Sequence, residues 1–335
     1  MKRSCVILGM LWLAVDAHAQ ALVSPSTDVP PPAPSAASTD VPTSRTVFRT
    51  AVDLVALSVV VTDPQQRFVN GLTANDFAVY EDGVQQDVSF FAATQVPLDL
   101  ALLLDTSASM QDKMTTMQQA ANGFLATLRD GDRAAVVDIK DSVRMAYPLG
   151  HDVTEAHAAV QATVARGGTA LYNGLYLALK EMMKQRKANG EVRRQAIAVL
   201  SDGDDTASLV SYEDVMELAK QSGISIYTIT LKSPVALKQA SMGGRRYFSE
   251  SEFAMKALAQ DTGARAFFPT EIAELAGVYG SIATELANQY AIGYSSKNGR
   301  RDGAFRRVVV RVEAQPGMRT RTRSGYMASR AASTP

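Results

Sequence analysis

The stretch LLLDTSASM, from Leu102 to Met110, leads an apolar segment directly into Asp105, with Ser107 and Ser109 at alternate positions after it. Positions two apart in an extended segment point to the same side, so these three oxygen-bearing side chains can converge. Turn and cap chemistry is one explanation, because Asp and Ser bond nearby backbone groups. A bound metal ion is the other, and the rest of the chain bears on the choice.

The segment lies in a region where short apolar runs alternate with helical stripes. The runs are LDLALLL, AAVVDI, VRMAY, AIAVL, ISIYTI and ARAFF, and two of the stripes fall at residues 114–128 and 171–182. This alternation predicts an α/β fold of the Rossmann-like kind, a doubly wound, mostly parallel sheet with helices on both faces. Two runs separated only by Lys140-Asp141 predict one antiparallel edge strand.

The regions on either side of this central domain, which we place at residues 97–289, are rich in predicted strands. Residues 46–95 contain LVALSVVV and a hairpin around Asp82-Gly83. Residues 290–328 contain YAIGYS and FRRVVVRVE, in which valines and arginines alternate as in a half-buried strand. We expect the two flanks to form one small β-sandwich, followed by a tail at residues 329–335.

The amino terminus has the pattern of an export signal. Residues 1–19 begin with Lys2 and Arg3, continue with an apolar run and end in small residues around His18. Residues 20–45 are rich in Pro, Ser and Thr, which predicts a disordered linker. No later segment is apolar enough to span a membrane, and the single cysteine, Cys5, lies inside the signal. We therefore expect an exported protein, periplasmic or secreted.

Two further loops carry oxygen ligands near the predicted strand ends. Thr169 follows Gly167-Gly168 at the start of a helix, and Asp202 comes directly after the run AIAVLS. The carboxyl ends of parallel strands are where such sheets collect ligands. Two carboxylates and three hydroxyls, with no nitrogen or sulfur, suit Mg²⁺, with Mn²⁺ as a possible substitute. The predicted metal ligands are Asp105, Ser107, Ser109, Thr169 and Asp202.

These residues resemble a known family. Asp105-Thr106-Ser107-Ala108-Ser109 reads as the DxSxS motif of von Willebrand factor type A domains, with Thr169 and Asp202 at the later positions of the metal ion-dependent adhesion site. The resemblance covers about residues 97–290, and the flanks resemble bacterial secreted proteins related to that family. It implies a non-enzymatic adhesion or scaffolding module, in which the ion keeps a coordination position open for an acidic side chain of a protein partner.

Other functions remain as alternatives. A cell-envelope assembly protein would make its contacts through the β flanks. Asp202 and Asp204, in D-x-D-x-T order, resemble the nucleophile loop of Mg²⁺-dependent phosphatases, but no later paired-acid loop follows. Beyond the signal, His151 and His157 are the only histidines, and we expect both to be solvated. The sequence therefore offers few residues for a histidine-based catalytic site.

The carboxyl-terminal flank is rich in arginine. We predict that these side chains either face the acidic amino-terminal flank or form a surface for an anionic envelope polymer. Nucleic acid is not expected as a partner, because RTRTR at residues 319–323 contains no aromatic residue for base stacking. The residues of the polymer hypothesis are Arg307, Arg311, Arg319, Arg321 and Arg323.

Overall fold

The computed structural model describes residues 54–93, 96–189, 193–202, 204–231, 249–313 and 317–330. The signal peptide and the linker expected before residue 46 lie outside the described residues, as does most of the expected tail. In the described part of the chain no helix is long and apolar enough to cross a membrane.

The centre of the molecule is a six-stranded sheet in the order β10-β9-β8-β5-β6-β7. Every neighbouring pair is parallel except β6 and β7, which are antiparallel. The predicted antiparallel edge strand is therefore confirmed. The strands are β5 (Leu98–Asp105), β6 (Arg133–Ile139), β7 (Val143–Gly150), β8 (Arg194–Ser201), β9 (Ser225–Thr230) and β10 (Ala266–Phe267).

Six described helices cover the two faces of this sheet. They are α1 (Met114–Leu125), α2 (Val153–Gln161), α3 (Leu171–Asn189), α4 (Tyr212–Ser222), α5 (Glu250–Asp261) and α6 (Leu275–Ala287). Strand β5 is buried along its whole length because its side chains enter two separate cores. Leu102 and Leu104 pack with α1 and α6 on one face, whereas Leu103 packs with α3 and α4 on the other. This arrangement confirms the predicted doubly wound fold.

The two flanks build a β-sandwich together. Its sheets have the orders β13-β1-β11-β4 and β14-β12-β2-β3, so each sheet contains strands from both ends of the chain. The strands are β1 (Leu54–Thr62), β2 (Phe77–Glu81), β3 (Val84–Gln86), β4 (Val88–Ala92), β11 (Tyr290–Ser295), β12 (Phe305–Val312), β13 (Arg319–Arg321) and β14 (Gly325–Met327). The predicted sandwich of both flanks is confirmed.

The sandwich has its own core, which the alternating sequence pattern explains. On β12, Val308 and Val310 are buried between the sheets while Arg307 and Arg311 are exposed. The turn between β2 and β3 uses Asp82 and Gly83, both at positive φ (47° and 85°). A two-residue hairpin needs this backbone conformation, and the Asp-Gly pair is suited to it.

The arginines of the carboxyl-terminal flank do not form a single row. Arg307, Arg311 and Arg319 are exposed, and Arg311 lies 5.3 Å from the ring centre of Tyr80. Arg321 instead pairs with the buried Glu285 of α6 at 2.6 Å. Arg323 is half-buried against Tyr326. The basic surface for an anionic polymer therefore reduces to the first three residues, and its binding stays a prediction.

Candidate metal centre

The three loops predicted to hold a metal meet at the carboxyl ends of β5 and β8. Backbone hydrogen bonds join the first loop to the second, with Ala108 N donating to the Gly167 carbonyl at 3.0 Å and Arg166 N to the Thr106 carbonyl at 2.9 Å. The third loop is joined to the second by Thr206 N, which donates to the Thr169 carbonyl at 2.9 Å. The local backbone therefore fixes all three loops against one another.

Four of the five predicted ligands lie in one polar cluster. Asp105 is fully buried at the end of β5 and accepts hydrogen bonds from Ser107 N at 2.9 Å and from the Ser201 hydroxyl at 2.7 Å. The hydroxyls of Ser107 and Ser109 are 3.0 Å apart, and Ser109 Oγ donates to Asp202 Oδ1 at 2.7 Å. Side chains from sequence positions almost a hundred residues apart thus share one small volume.

Thr169 occupies the adjoining loop. It is buried, and its backbone N–H donates to Thr206 Oγ1 of the third loop at 3.0 Å. Among the described residues its hydroxyl makes no hydrogen bond to the other four side chains. Its place in the ligand set therefore remains a prediction, based on the loop it shares with Gly167 and Gly168.

The electrostatics of the cluster favour an added cation. Burial raises the pKa of Asp105, and the negative charge of Asp202 acts in the same direction. The hydrogen bonds from Ser107 and Ser201 oppose this effect in part. Two neighbouring carboxylates, one of them fully buried, are costly to keep ionised together unless a positive charge lies beside them.

Lys113 supplies such a charge, and the sequence analysis did not identify it. Its ammonium group pairs with Asp202 Oδ2, and the lysine side chain is 30% exposed whereas that of Asp202 is only 4% exposed. The lysine lies just before α1, in the 3₁₀ turn that follows Ser107. Its position directly before α1 carried no signal in the sequence, because only the fold brings it opposite Asp202.

The donor set fits a hard divalent ion. All five candidate side chains offer oxygen, and the cluster already pairs with one cation, the Lys113 ammonium group. The described ranges contain no group of three or more His, Cys, Asp or Glu residues placed to hold a metal, so the candidate set depends on its hydroxyls as well as its two carboxylates. A site of this composition, with two carboxylates and three hydroxyls, is the best candidate that these residues offer.

A second network of polar contacts joins the first loop to the end of β6. The Thr106 hydroxyl donates to the buried carboxylate of Asp138, and Thr106 N donates to the Ile139 carbonyl at 2.7 Å. Lys140 Nζ lies 2.9 Å from Asp138, so that carboxylate is charge-compensated. These interactions hold the backbone between Asp105 and Ser107, and neither Asp138 nor Lys140 was predicted to have a role.

The residues of the phosphatase alternative are placed differently. Asp204 is exposed, while Asp205 accepts hydrogen bonds from Tyr172 N at 3.2 Å and Ser208 Oγ at 2.6 Å at the start of α3. His151 is exposed as expected and lies near the Asp132 carbonyl, 2.9 Å from its Nδ1. His157 differs from expectation, because it is half-buried and its Nε2 makes no hydrogen bond within the described residues.

Comparison with known proteins gives a family match over the central domain. The model of the von Willebrand factor type A domain matches residues 99–278. An uncharacterized protein of Synechocystis sp. is 31% identical over 114 residues, covering 33% of this chain and 26% of the relative. Calcium-activated chloride channel regulator 1 of Equus caballus is 30% identical over 139 residues, covering 39% of this chain and 14% of the relative. The chain thus matches about a quarter or less of the length of these relatives.

Solved structures show a similar arrangement at low sequence identity. A von Willebrand factor type A protein from Catenulispora acidiphila is 14% identical, with a TM-score of 0.47 and coverage of 84% of this chain and 76% of that one. Proximal thread matrix protein 1 from the mussel byssus, solved with a zinc-occupied MIDAS motif, is 16% identical. Its TM-score is 0.46, and the match covers 58% of this chain and 49% of that one.

Proposed function

Because the chain belongs to the von Willebrand factor type A domain family, we propose that it is an exported, divalent-metal-dependent protein-binding module. Asp105, Ser107, Ser109, Thr169 and Asp202 hold Mg²⁺, or Mn²⁺ in its place, and the ion receives an acidic side chain of a protein partner. The observation that carries this proposal is the cluster of Asp105, Ser107, Ser109 and Asp202, joined by hydrogen bonds across two loops.

The charge of the site explains how it would attract an acidic partner. A divalent ion bound there supplies a Lewis-acidic position that attracts a carboxylate. Because the site provides only two formal negative charges, Asp105 and Asp202 leave that positive charge incompletely neutralised. Ser107 and Ser109 contribute neutral oxygens, and their mutual hydrogen bond keeps both on the same side of the loop. Capture of an acidic partner is then reversible and depends on the metal.

An assembly role carried by the flanks is the second candidate. The sandwich exposes Val84 at the end of the β2–β3 hairpin, with 57% of its surface accessible. Deleting residues 46–95 is not a usable test, because β1, β2 and β4 contribute to both sheets and to the sandwich core. Surface substitutions discriminate instead, since they leave that core in place.

Partner capture separates these two candidates. We expect immobilised protein to retain envelope or extracellular proteins in Mg²⁺ and to release them when the metal is withdrawn. Ser109→Ala removes a ligand that bridges to Asp202 and should lose most of this capture, whereas Val84→Glu should retain it. Capture that persists without metal, or that is lost in the Val84 variant and kept in the Ser109 variant, favours the flanks instead.

Lys113 is expected to weaken metal binding. Its ammonium group pairs with Asp202, so an ion that uses this carboxylate must displace it. Replacing Lys113 by Met removes the competing charge and keeps the length of the side chain. A partly buried pair of this kind is worth about 1 kcal/mol, which corresponds to an affinity about fivefold higher.

Isothermal titration of Mn²⁺ into metal-depleted protein measures this change. Lys184→Met serves as a matched control, because Lys184 is 75% exposed on α3 and pairs only loosely with Glu181. We expect tighter binding in the Lys113 variant alone. Equal affinities in the two variants and the native protein would show that the lysine leaves Asp202 at no cost.

A further inference from the structure

A second polar site lies at the opposite end of the central sheet. A cavity of about 380 Å³ opens between the sandwich and the strand ends of the central domain. Its walls include β1, the start of β8 and the carboxyl-terminal ends of α3 and α4. Strand β8 begins at Arg194 in the wall of this cavity and ends at Ser201 beside the candidate metal centre. The two sites are therefore separated by the length of a strand.

The lining of this cavity is strongly basic. It contains four arginines and, among the described residues, no aspartate or glutamate. The arginines are Arg186, Arg193, Arg194 and Arg323. The remaining wall is largely apolar, with Leu54, Phe90 and Met327 among its members. Its volume is within the range of small-molecule sites.

Two of these arginines are held by the protein itself, Arg193 by a carboxylate and Arg194 by backbone carbonyls. Arg193 Nε lies 2.7 Å from the buried carboxylate of Asp99. Arg194 donates to the carbonyls of Val96, at 2.9 Å, and Leu286. Their guanidinium groups are therefore held in place as parts of the wall.

Arg186 and Arg323 have fewer polar contacts than Arg193 and Arg194, and like Arg194 they form no ion pair with a carboxylate in the described part of the chain. Arg186 donates to the Ser222 carbonyl at 2.7 Å, at the end of α4. Arg323 lies 5.4 Å from the ring centre of Tyr326, and its buried Nε makes no hydrogen bond. Its Nη1 is packed so closely against Gly223 that a Cβ there would lie 2.6 Å away. These contacts orient both guanidinium groups without neutralising them.

The proximity of the two charges has an energetic consequence. Burial lowers the pKa of Arg323 to about 10, and the positive charge of Arg186 acts in the same direction. Two like charges beside a partly enclosed cavity repel each other, and an anion between them relieves that repulsion. Planar guanidinium groups bind carboxylate and phosphate oxygens through paired hydrogen bonds.

We propose that this cavity binds a small molecule carrying a phosphate or carboxylate group, with the oxyanion between Arg186 and Arg323 and an apolar portion against Leu54 and Phe90. The site is independent of the metal centre and of the function proposed for it. It uses the junction of the sandwich with the central domain, so occupancy should also strengthen that junction.

Calorimetric titration with two probes tests the proposal and distinguishes the ligand classes. Pyrophosphate represents the phosphate class and citrate the carboxylate class, each titrated into the full chain in metal-free buffer without chelator, because chelators are themselves polycarboxylates. NaCl at matched ionic strength controls for general screening. We expect saturable binding of at least one probe, with a higher melting temperature at saturation. A response to pyrophosphate alone, or to citrate alone, assigns the class.

Variants locate the binding. Arg323→Gln and Arg186→Gln should each weaken binding about tenfold or more, since each removes a charge-assisted pair of hydrogen bonds. Arg307→Gln, on the exposed face of β12, should leave it unchanged. Arg186 is an exposed residue near the end of α3, so its variant should fold even if the Arg323 variant does not. No binding of either probe beyond the NaCl control, or equal binding in the Arg186 and Arg307 variants, overturns the proposal.

Discussion

Asp105→Ala is expected to abolish the stabilisation that Mg²⁺ or Mn²⁺ gives to the folded protein. An ion that binds only the folded state, at a hundredfold over its Kd, raises the free energy of unfolding by about 2.7 kcal/mol. Asp105 is the buried carboxylate of the cluster and is fixed by Ser107 N and the Ser201 hydroxyl. Removing it leaves Asp202 as the only charged ligand, and that residue is already paired with Lys113.

Thermal unfolding with and without metal measures this loss. The quantity compared is the metal-induced change in melting temperature within each variant. Removing Asp105 also leaves its two hydrogen-bond donors unpaired, which changes the stability of the metal-free protein. Asp130→Ala is a suitable control, since Asp130 is an exposed carboxylate in the turn before β6, at the other end of the sheet. A metal-induced rise that survives in the Asp105 variant would place the ion elsewhere.

Asp99→Ala is expected to lower the free energy of unfolding by about 3–5 kcal/mol, the usual cost of removing one partner from a buried ion pair. The Asp99 side chain is 1% exposed and binds two arginines. Arg133 donates to both its oxygens, at 2.9 and 2.8 Å, and Arg193 Nε donates at 2.7 Å. Both guanidinium groups would lose this carboxylate in surroundings that water reaches poorly.

Urea unfolding of the metal-free protein tests this expectation. Asp87→Ala provides the matched control, because Asp87 also pairs with a cation, Lys297 at 3.0 Å, but is 87% exposed. Ion pairs in water contribute little, so its unfolding midpoint should be unchanged. A loss below about 1 kcal/mol in the Asp99 variant would mean that the two arginines find other partners or reach solvent.

Local patterns account for most of the fold. The unbroken apolar run of Leu98 to Leu104 predicts a strand covered on both faces, and the structure buries it between two cores. The alternation of Val308 and Val310 with Arg307 and Arg311 predicts a half-buried strand, as observed. The order of strands within the sandwich was not predictable, because pairing of β1 with β11 joins residues more than two hundred positions apart.

In the candidate site, too, the residues grouped by local sequence were predictable and those placed by long-range contacts were not. Asp105, Ser107 and Ser109 could be grouped from sequence because they are two residues apart in one extended segment. Asp202 followed from its position after a buried strand. Lys113 and Ser201 could not be identified, because their roles depend on long-range contacts with Asp202 and Asp105. Arg323 was expected on a basic surface, but it lies half-buried where the sandwich meets the central domain.

The position of the ion itself tests the central claim most directly. Crystals of the protein grown with Mn²⁺ allow the metal to be located by its anomalous scattering. We predict one strong peak among Asp105, Ser107, Ser109, Thr169 and Asp202, at about 2.0–2.4 Å from its direct oxygen ligands, with Lys113 moved away from Asp202. A map with no peak in this cluster, and Lys113 still paired with Asp202, would contradict the account.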